Sequence, residues 1–219
     1  FFSFLFLNCK GTYFLWTTQI VWRFFVFIKK IDICSWSFQK KIVPLCPNNQ
    51  NCSMKPVKVF LTDVDGCMTD GGMYYTESGD EFKKFCVYDG MGIVLLRKAG
   101  IPCGILTSEN TNIGLKRGKK LGLEYVYTGV GRVVDGVKMT KLDAAKEICK
   151  QLGITLEEVC FVGDDVNDLD LLQHAGVAAC PANAVEVVKA VPGIIHLTKK
   201  GGDGAIREIA EMILEARGE

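Results

Sequence analysis

From Val57 onward, short apolar runs alternate with longer stretches of helical spacing, and this alternation constrains the fold more than any other feature. The apolar runs are 57–62, 101–106 ("IPCGIL"), 124–127, 159–162 ("VCFV"), 177–180 and 194–197. The segments expected to be helical are 90–99, 111–121, 141–152, 168–175, 184–190 and 204–216. In the last of these, Ile206, Ile209, Ala210, Ile213 and Leu214 recur at helical spacing, which buries one face. Strands apolar along their whole length, with helices between them, belong to a parallel sheet covered on both faces. The fold class expected is therefore α/β, a three-layer sandwich with a mainly parallel sheet.

One segment breaks the alternation. Residues 73–88, "MYYTESGDEFKKFCVY", read as two short strands joined at Ser78-Gly79-Asp80, a β-hairpin flap close to the end of the first strand. Its aromatic residues Tyr74, Tyr75 and Phe85 are expected to pack against other subunits.

The sequence changes character at Met54. Residues 1–53 carry six Lys/Arg against one acid and residues 54–219 carry 20 against 24, so the formal charge of +1 combines +5 with −4. All three Trp and nine of 13 Phe precede Met54, while 22 of 23 Gly follow it. The apolar stretch 12–28 is interrupted by Arg23 and falls short of the roughly 20 apolar residues of a spanning helix. "FFSFLFLNCK" lacks the basic start and small-residue cleavage site of a signal peptide. The chain begins with Phe, and its first Met is Met54. Residues 1–53 are thus expected to be translated upstream sequence outside the fold, with a membrane-associated segment as the alternative. Residues 54–219 are expected to form one domain without membrane contact. Their mild acidity and lack of a basic patch argue against nucleic acid. Six cysteines without a CxxC pair suit reduced core thiols in a cytoplasmic protein.

Four polar segments fall at predicted strand ends: Asp63-Val-Asp65-Gly66, Thr107-Ser108-Glu109-Asn110, Lys141, and Gly163-Asp164-Asp165-Val-Asn167-Asp168. Strand ends on one edge of a parallel sheet meet in space, so these residues should form one site. Carboxylates ending a buried strand are costly unless something binds them. Strand alternation should put Asp63 and Asp65 on one side, with Val64 turned away. A carboxylate can attack a phosphoryl group and carry it covalently, the role assigned to Asp63. A second acid, Asp65, can protonate the leaving oxygen and then activate water. Anions approaching a phosphate need Mg²⁺, for which Asp63, the backbone carbonyl of Asp65 and Asp164 are the candidate ligands. Thr107 can donate its hydroxyl to the phosphoryl oxygens, and Lys141 can balance their charge, though Lys138 lies close by. Asp165 is a candidate helix cap and Asp168 a support for the metal. His174 and His196 fit structural positions away from the acidic edge.

In this order the four segments resemble the haloacid dehalogenase superfamily of phosphotransferases, across residues 56–219. The resemblance implies a Rossmann-like fold. The gaps of 44 residues (63 to 107) and 34 (107 to 141) are too short for the separate cap domain that many members carry. The hairpin, "DGMGIVLLRKAGI" and "GGDGAIRE" are similar to the capless phosphatases of 3-deoxy-2-keto sugar acids, which implies a phosphorylated sugar acid as substrate and a homotetramer. The loop 130–140, with "VGRVVDGVKMT", is longer than the family's. Glu109, Arg117 and Lys120 resemble the nine-carbon nononate 9-phosphate branch, which implies that Glu109 binds sugar hydroxyls and the two cations a carboxylate. The alternatives are the eight-carbon octulosonate 8-phosphate branch, and a non-catalytic oligomerisation module like the tail of sialic acid cytidylyltransferases.

Overall fold

The apolar runs do become strands, in a computed structural model that describes residues 54–134 and 136–219. The expectation for residues 1–53 lies outside the described residues. β1 (Val59–Thr62) leads into the hairpin strands β2 (Tyr74–Tyr75) and β3 (Glu81–Phe82), then α1 (Val87–Lys98). Next come β4 (Cys103–Leu106), α2 (Asn112–Leu121), β5 (Tyr125–Tyr127), a small hairpin of β6 (Val133–Val134) and β7 (Val137–Lys138), and α3 (Lys141–Leu152). The chain continues through β8 (Val159–Val162), a 3-10 turn at Val166–Asp168, α4 (Leu169–Leu172), β9 (Val177–Cys180), α5 (Glu186–Lys189), β10 (Ile195–His196) and α6 (Ala205–Ala216).

Six strands form one sheet in the order β10-β9-β8-β1-β4-β5, with the neighbours of β1 both parallel to it. Alternation along β1 divides the core in two. Phe60 packs with Ile93 and Leu96 of α1 and Ile206, Ile209 and Ile213 of α6. Val59 and Leu61 pack on the other face with Ala144, Ala145 and Ile148 of α3 and Leu171 of α4. The result is the expected three-layer sandwich, and among the described residues only hairpins and short loops separate its elements. From β1 the chain moves to β4 on one side and returns to β8 on the other. The strand order thus reverses at β1, whose carboxyl end opens onto a crevice.

The differences from expectation are local. α1 begins at Val87 rather than near 90, so Val87 and Tyr88 are helical and the hairpin is shorter than 73–88. Its turn is where expected: Thr76 N–H donates to Asp80 O (2.9 Å), and Gly79 takes φ +89°. Loop 130–140 is not irregular but pairs Val133 with Lys138. Phe85 does not face outward. A bridge to Thr69 turns it toward its own core, and Phe82 joins Tyr74 and Tyr75 as an exposed ring instead.

One local signal positions the site directly. The Thr140 hydroxyl accepts from Asp143 N–H (3.1 Å), and the Asp143 carboxylate accepts from Thr140 N–H (3.0 Å), a capping box that starts α3. Lys141 is therefore the first helical residue. Thr140→Ala should destabilise the protein by about 1 kcal/mol. Urea unfolding would measure this, and an unchanged midpoint would show that the box does not hold the helix start.

Candidate active site

β1 ends at Thr62, so strand alternation cannot aim the two acids that follow; a turn does so instead. Asp63 N–H still donates to Val162 O of β8 (2.9 Å), and Asp63 Oδ1 accepts from Val64 N–H (2.6 Å). Val64 points into the core, as expected. Asp63 and Asp65 line one cavity of about 250 Å³, together with Gly66, Thr107, Glu109 and Asp164. Gly66 adopts φ +75°, and a Cβ there would lie 1.9 Å from Asp164 Oδ2. Only glycine lets the two acidic loops approach this closely.

Charge is concentrated behind the cavity. Lys141, 4% exposed, lies 2.7 Å from Asp63 Oδ2 and 2.6 Å from Asp168 Oδ1. Asp168 is fully buried, and its other oxygen accepts from Asp164 N–H (3.0 Å) and Asp165 N–H (3.3 Å). It braces the loop that carries Asp164. Asp165 accepts from Val166 N–H (2.7 Å), the capping role expected of it. Lys138 lies in the second hairpin and is exposed.

Thr107 extends β4: its N–H donates to Tyr127 O (2.9 Å), and its hydroxyl oxygen accepts from Glu109 N–H (3.1 Å). The hydroxyl proton is left to donate. Glu109 stands at the cavity wall, 3.9 Å from Arg132. Arg117 and Lys120, on α2, are not among the residues that line this cavity within one chain. The Arg117 guanidinium lies over the Phe85 ring (5.0 Å) and donates to Cys86 O (3.3 Å), while Lys120 is exposed.

Three contributors were not singled out from the sequence. Lys83 lies 2.7 Å from both Asp65 oxygens. Asn183 donates to Gly66 O (2.9 Å) and accepts from Gly201 N–H (2.7 Å), pinning the turn from below. The Cys67 thiol donates to Asp164 Oδ1 (3.6 Å). Lys83 reads as a hairpin residue and Asn183 as a loop residue, and neither carries a motif. All six described cysteines are free thiols.

Burial pushes the Asp63 carboxyl up to about 7, against the pull of Lys141. Burial, reinforced by Asp168, takes Asp164 to about 7 as well. Burial opposes the charge of Lys141, but Asp63 and Asp168 outweigh it and raise the group. Two carboxyls so poorly stabilised as anions are suited to a cation. Asp63, Asp164 and Asp168 each place an oxygen within 4.8 Å of the others, an all-oxygen set that fits Mg²⁺. Asp168 already has three partners, Lys141 and two N–H groups, against two on Asp63 and one on Asp164, so Asp63 and Asp164 have the more lone pairs to give.

Stability should follow. The folded state retains protons on Asp63 and Asp164 up to about 7, whereas the ordinary value is 3.8. It therefore binds more protons than the unfolded chain in that window, and these groups cost the metal-free protein stability as pH rises through it. Mg²⁺ binds the ionised carboxylates, so it should raise Tm more at about pH 8 than at about pH 5.5. Asp164→Asn should remove most of that rise. Equal Mg²⁺ shifts at both pH values would contradict the assignment.

Comparison with known proteins agrees with this geometry. The haloacid dehalogenase-like hydrolase family matches residues 86–176. A 3-deoxy-D-manno-octulosonate 8-phosphate phosphatase of Haemophilus influenzae is 34% identical over 165 residues, 75% of this chain and 87% of that protein. The Escherichia coli K12 protein of that name is 31% identical over 163 residues, 74% of this chain and 81% of that protein. The crystal structure of the Moraxella catarrhalis phosphatase, in complex with magnesium, phosphate and a KDO molecule, matches with TM-score 0.68 and 36% identity, over 75% of this chain and 89% of that one. The strand-end acids, the buried lysine and the Mg²⁺ site thus coincide with an overall likeness of sequence and structure, and the chain belongs to the haloacid dehalogenase-like hydrolases, as a phosphoric monoester hydrolase.

Proposed function

We propose that this protein hydrolyses the terminal phosphate of a 3-deoxy-2-keto sugar acid through an aspartyl-phosphate intermediate. The observation that carries the reading is Asp63, a buried carboxylate with one oxygen on Lys141, lining the same cavity as Asp65, Thr107 and Asp164. Asp63 attacks phosphorus, and the bond to the sugar oxygen breaks as Asp65 supplies a proton to that oxygen. Water then attacks the aspartyl phosphate, its proton passes to Asp65, and the bond to Asp63 breaks to release phosphate. Thr107 and Lys141 hold the phosphoryl oxygens and balance their charge. Mg²⁺, held by Asp63, Asp164 and the Asp65 carbonyl, would screen the repulsion between carboxylate and phosphate. A scaffold module has no need of this buried charge, which argues against the non-catalytic alternative.

Asp63→Asn keeps the shape of the side chain but loses the attacking charge, so it should abolish turnover while leaving the unfolding midpoint nearly intact. Appreciable turnover, free of wild-type contamination, would remove Asp63 from the role. A chain starting at Met54 should match the full chain in kcat, consistent with residues 54–219 carrying the whole activity.

For the sugar acid, the names of the relatives favour the eight-carbon octulosonate 8-phosphate. The nine-carbon preference rests on Glu109, Arg117 and Lys120, of which only Glu109 lines the cavity. That observation keeps the nine-carbon 9-phosphate as a second reading. Comparing kcat/KM for the two substrates decides between them. A nine-carbon preference that is lost in Glu109→Ala would put the nine-carbon reading first.

The exposed Met73, Tyr74, Tyr75 and Phe82 of the hairpin support a homotetramer in which neighbours cover a site that lacks a cap. Light scattering should give four chains, and Tyr75→Glu with Phe82→Glu should dissociate them; a monomer of undiminished specific activity would refute this. Among the described residues no helix is long and apolar enough to cross a membrane. The free cysteines support a cytoplasmic setting.

A further inference from the structure

Lys83 is buried beside the site without being part of its cavity wall. Its side chain is 2% exposed, and its ammonium lies 2.7 Å from both Asp65 oxygens and 3.6 Å from Glu81 Oε1. The backbone around it is anchored, since Phe85 bridges to Thr69 and the Tyr74 hydroxyl donates to Asp70 (2.7 Å). The hairpin therefore sets where the ammonium sits. Asp65 is less constrained. It lies beyond the end of β1, and its other hydrogen bond comes from the Thr69 hydroxyl at 3.4 Å. A charge-assisted contact to both oxygens is the strongest orienting force on it.

We propose that Lys83 is a positioning residue that aims the Asp65 carboxylate at the attacking water, and so couples the hairpin to catalysis. This rests on the reading of Asp65 as the acid/base. In the hydrolytic step the water oxygen bonds to phosphorus, and the bond from phosphorus to Asp63 breaks with its electron pair returning to the carboxylate. The water proton goes to Asp65. A general base acts only within hydrogen-bond reach of the proton it takes, so a loss of aim slows this step more than the attack of Asp63.

The test uses the full chain, Mg²⁺ and p-nitrophenyl phosphate in a rapid-mixing experiment. Nitrophenolate leaves without a proton, so its first release reports the attack of Asp63, and where a burst shows the second step to be the slower one its steady release reports the attack of water. In Lys83→Met the steady rate should fall about 100-fold, the scale of general-base catalysis. A burst approaching one nitrophenolate per site should precede it. The values of kcat and KM should fall together, leaving kcat/KM within about threefold, because that ratio reports only the first irreversible step. Lys83→Arg, which keeps a charged donor, should recover at least about tenfold of the loss. If burst and steady rate vanish together, Lys83 is merely structural and the proposal falls; an unchanged steady rate overturns it too. Lys83→Gln is read the same way should Lys83→Met not fold. Wild-type protein that turns over neither this ester nor a sugar-acid phosphate would defeat the phosphatase reading, and Lys83 with it. An active wild type with indifferent variants defeats the Lys83 proposal alone.

Discussion

One ammonium, that of Lys141, holds the site together. It lies between Asp63 and Asp168, both withdrawn from water. A lysine at the first position of a helix opposes the helix dipole, so α3 gains nothing from it. Its place is explained by the two carboxylates. Without it they would face each other uncompensated, a loss of about 3–5 kcal/mol for a broken buried pair. The same ammonium leaves the site short of positive charge, since burial still pushes Asp63 and Asp164 upward. The protein alone does not neutralise its own acids, and that deficit is what a divalent cation fills.

Parallel pairing turns this local chemistry into a site. Thr62 of β1 stands level with Val162 of β8 and Ile105 of β4, so the residues after each strand emerge side by side. Asp63, Asp164 and Thr107 are then neighbours despite their separation along the chain. Glycine sets how close they come. Gly66 leaves room for Asp164, and a Cβ at Gly201 would lie 1.9 Å from Gly66 O. The closing loop thus supports the acidic turn from beneath.

Much of this was legible in the sequence. Apolar runs with helices between them specify a parallel sheet because each helix carries the chain back across a face and covers it, and all six strands lie within the expected runs. The site acids were legible because a charge at the end of a buried strand is costly unless it is used. Element ends were less legible. α1 starts earlier than expected, and Phe85 is drawn inward by a single bridge to Thr69. Arg117 was legible as a helical cation, but its place over the Phe85 ring was not, because the hairpin that carries Phe85 lies far from α2 in the chain.

The sequence by itself determined the sheet, the order of its helices and the group of acids, lysine and threonine at one edge, because periodicity and the cost of buried charge are local properties of a chain. Only the tertiary structure decided which lysine meets which acid. Lys83 reaches Asp65 across 18 residues, Lys141 reaches Asp168 across 27, and Asn183 reaches Gly66 across 117. Such pairings depend on where loops end in space, and the patterns that specify strands and helices carry no information about that distance.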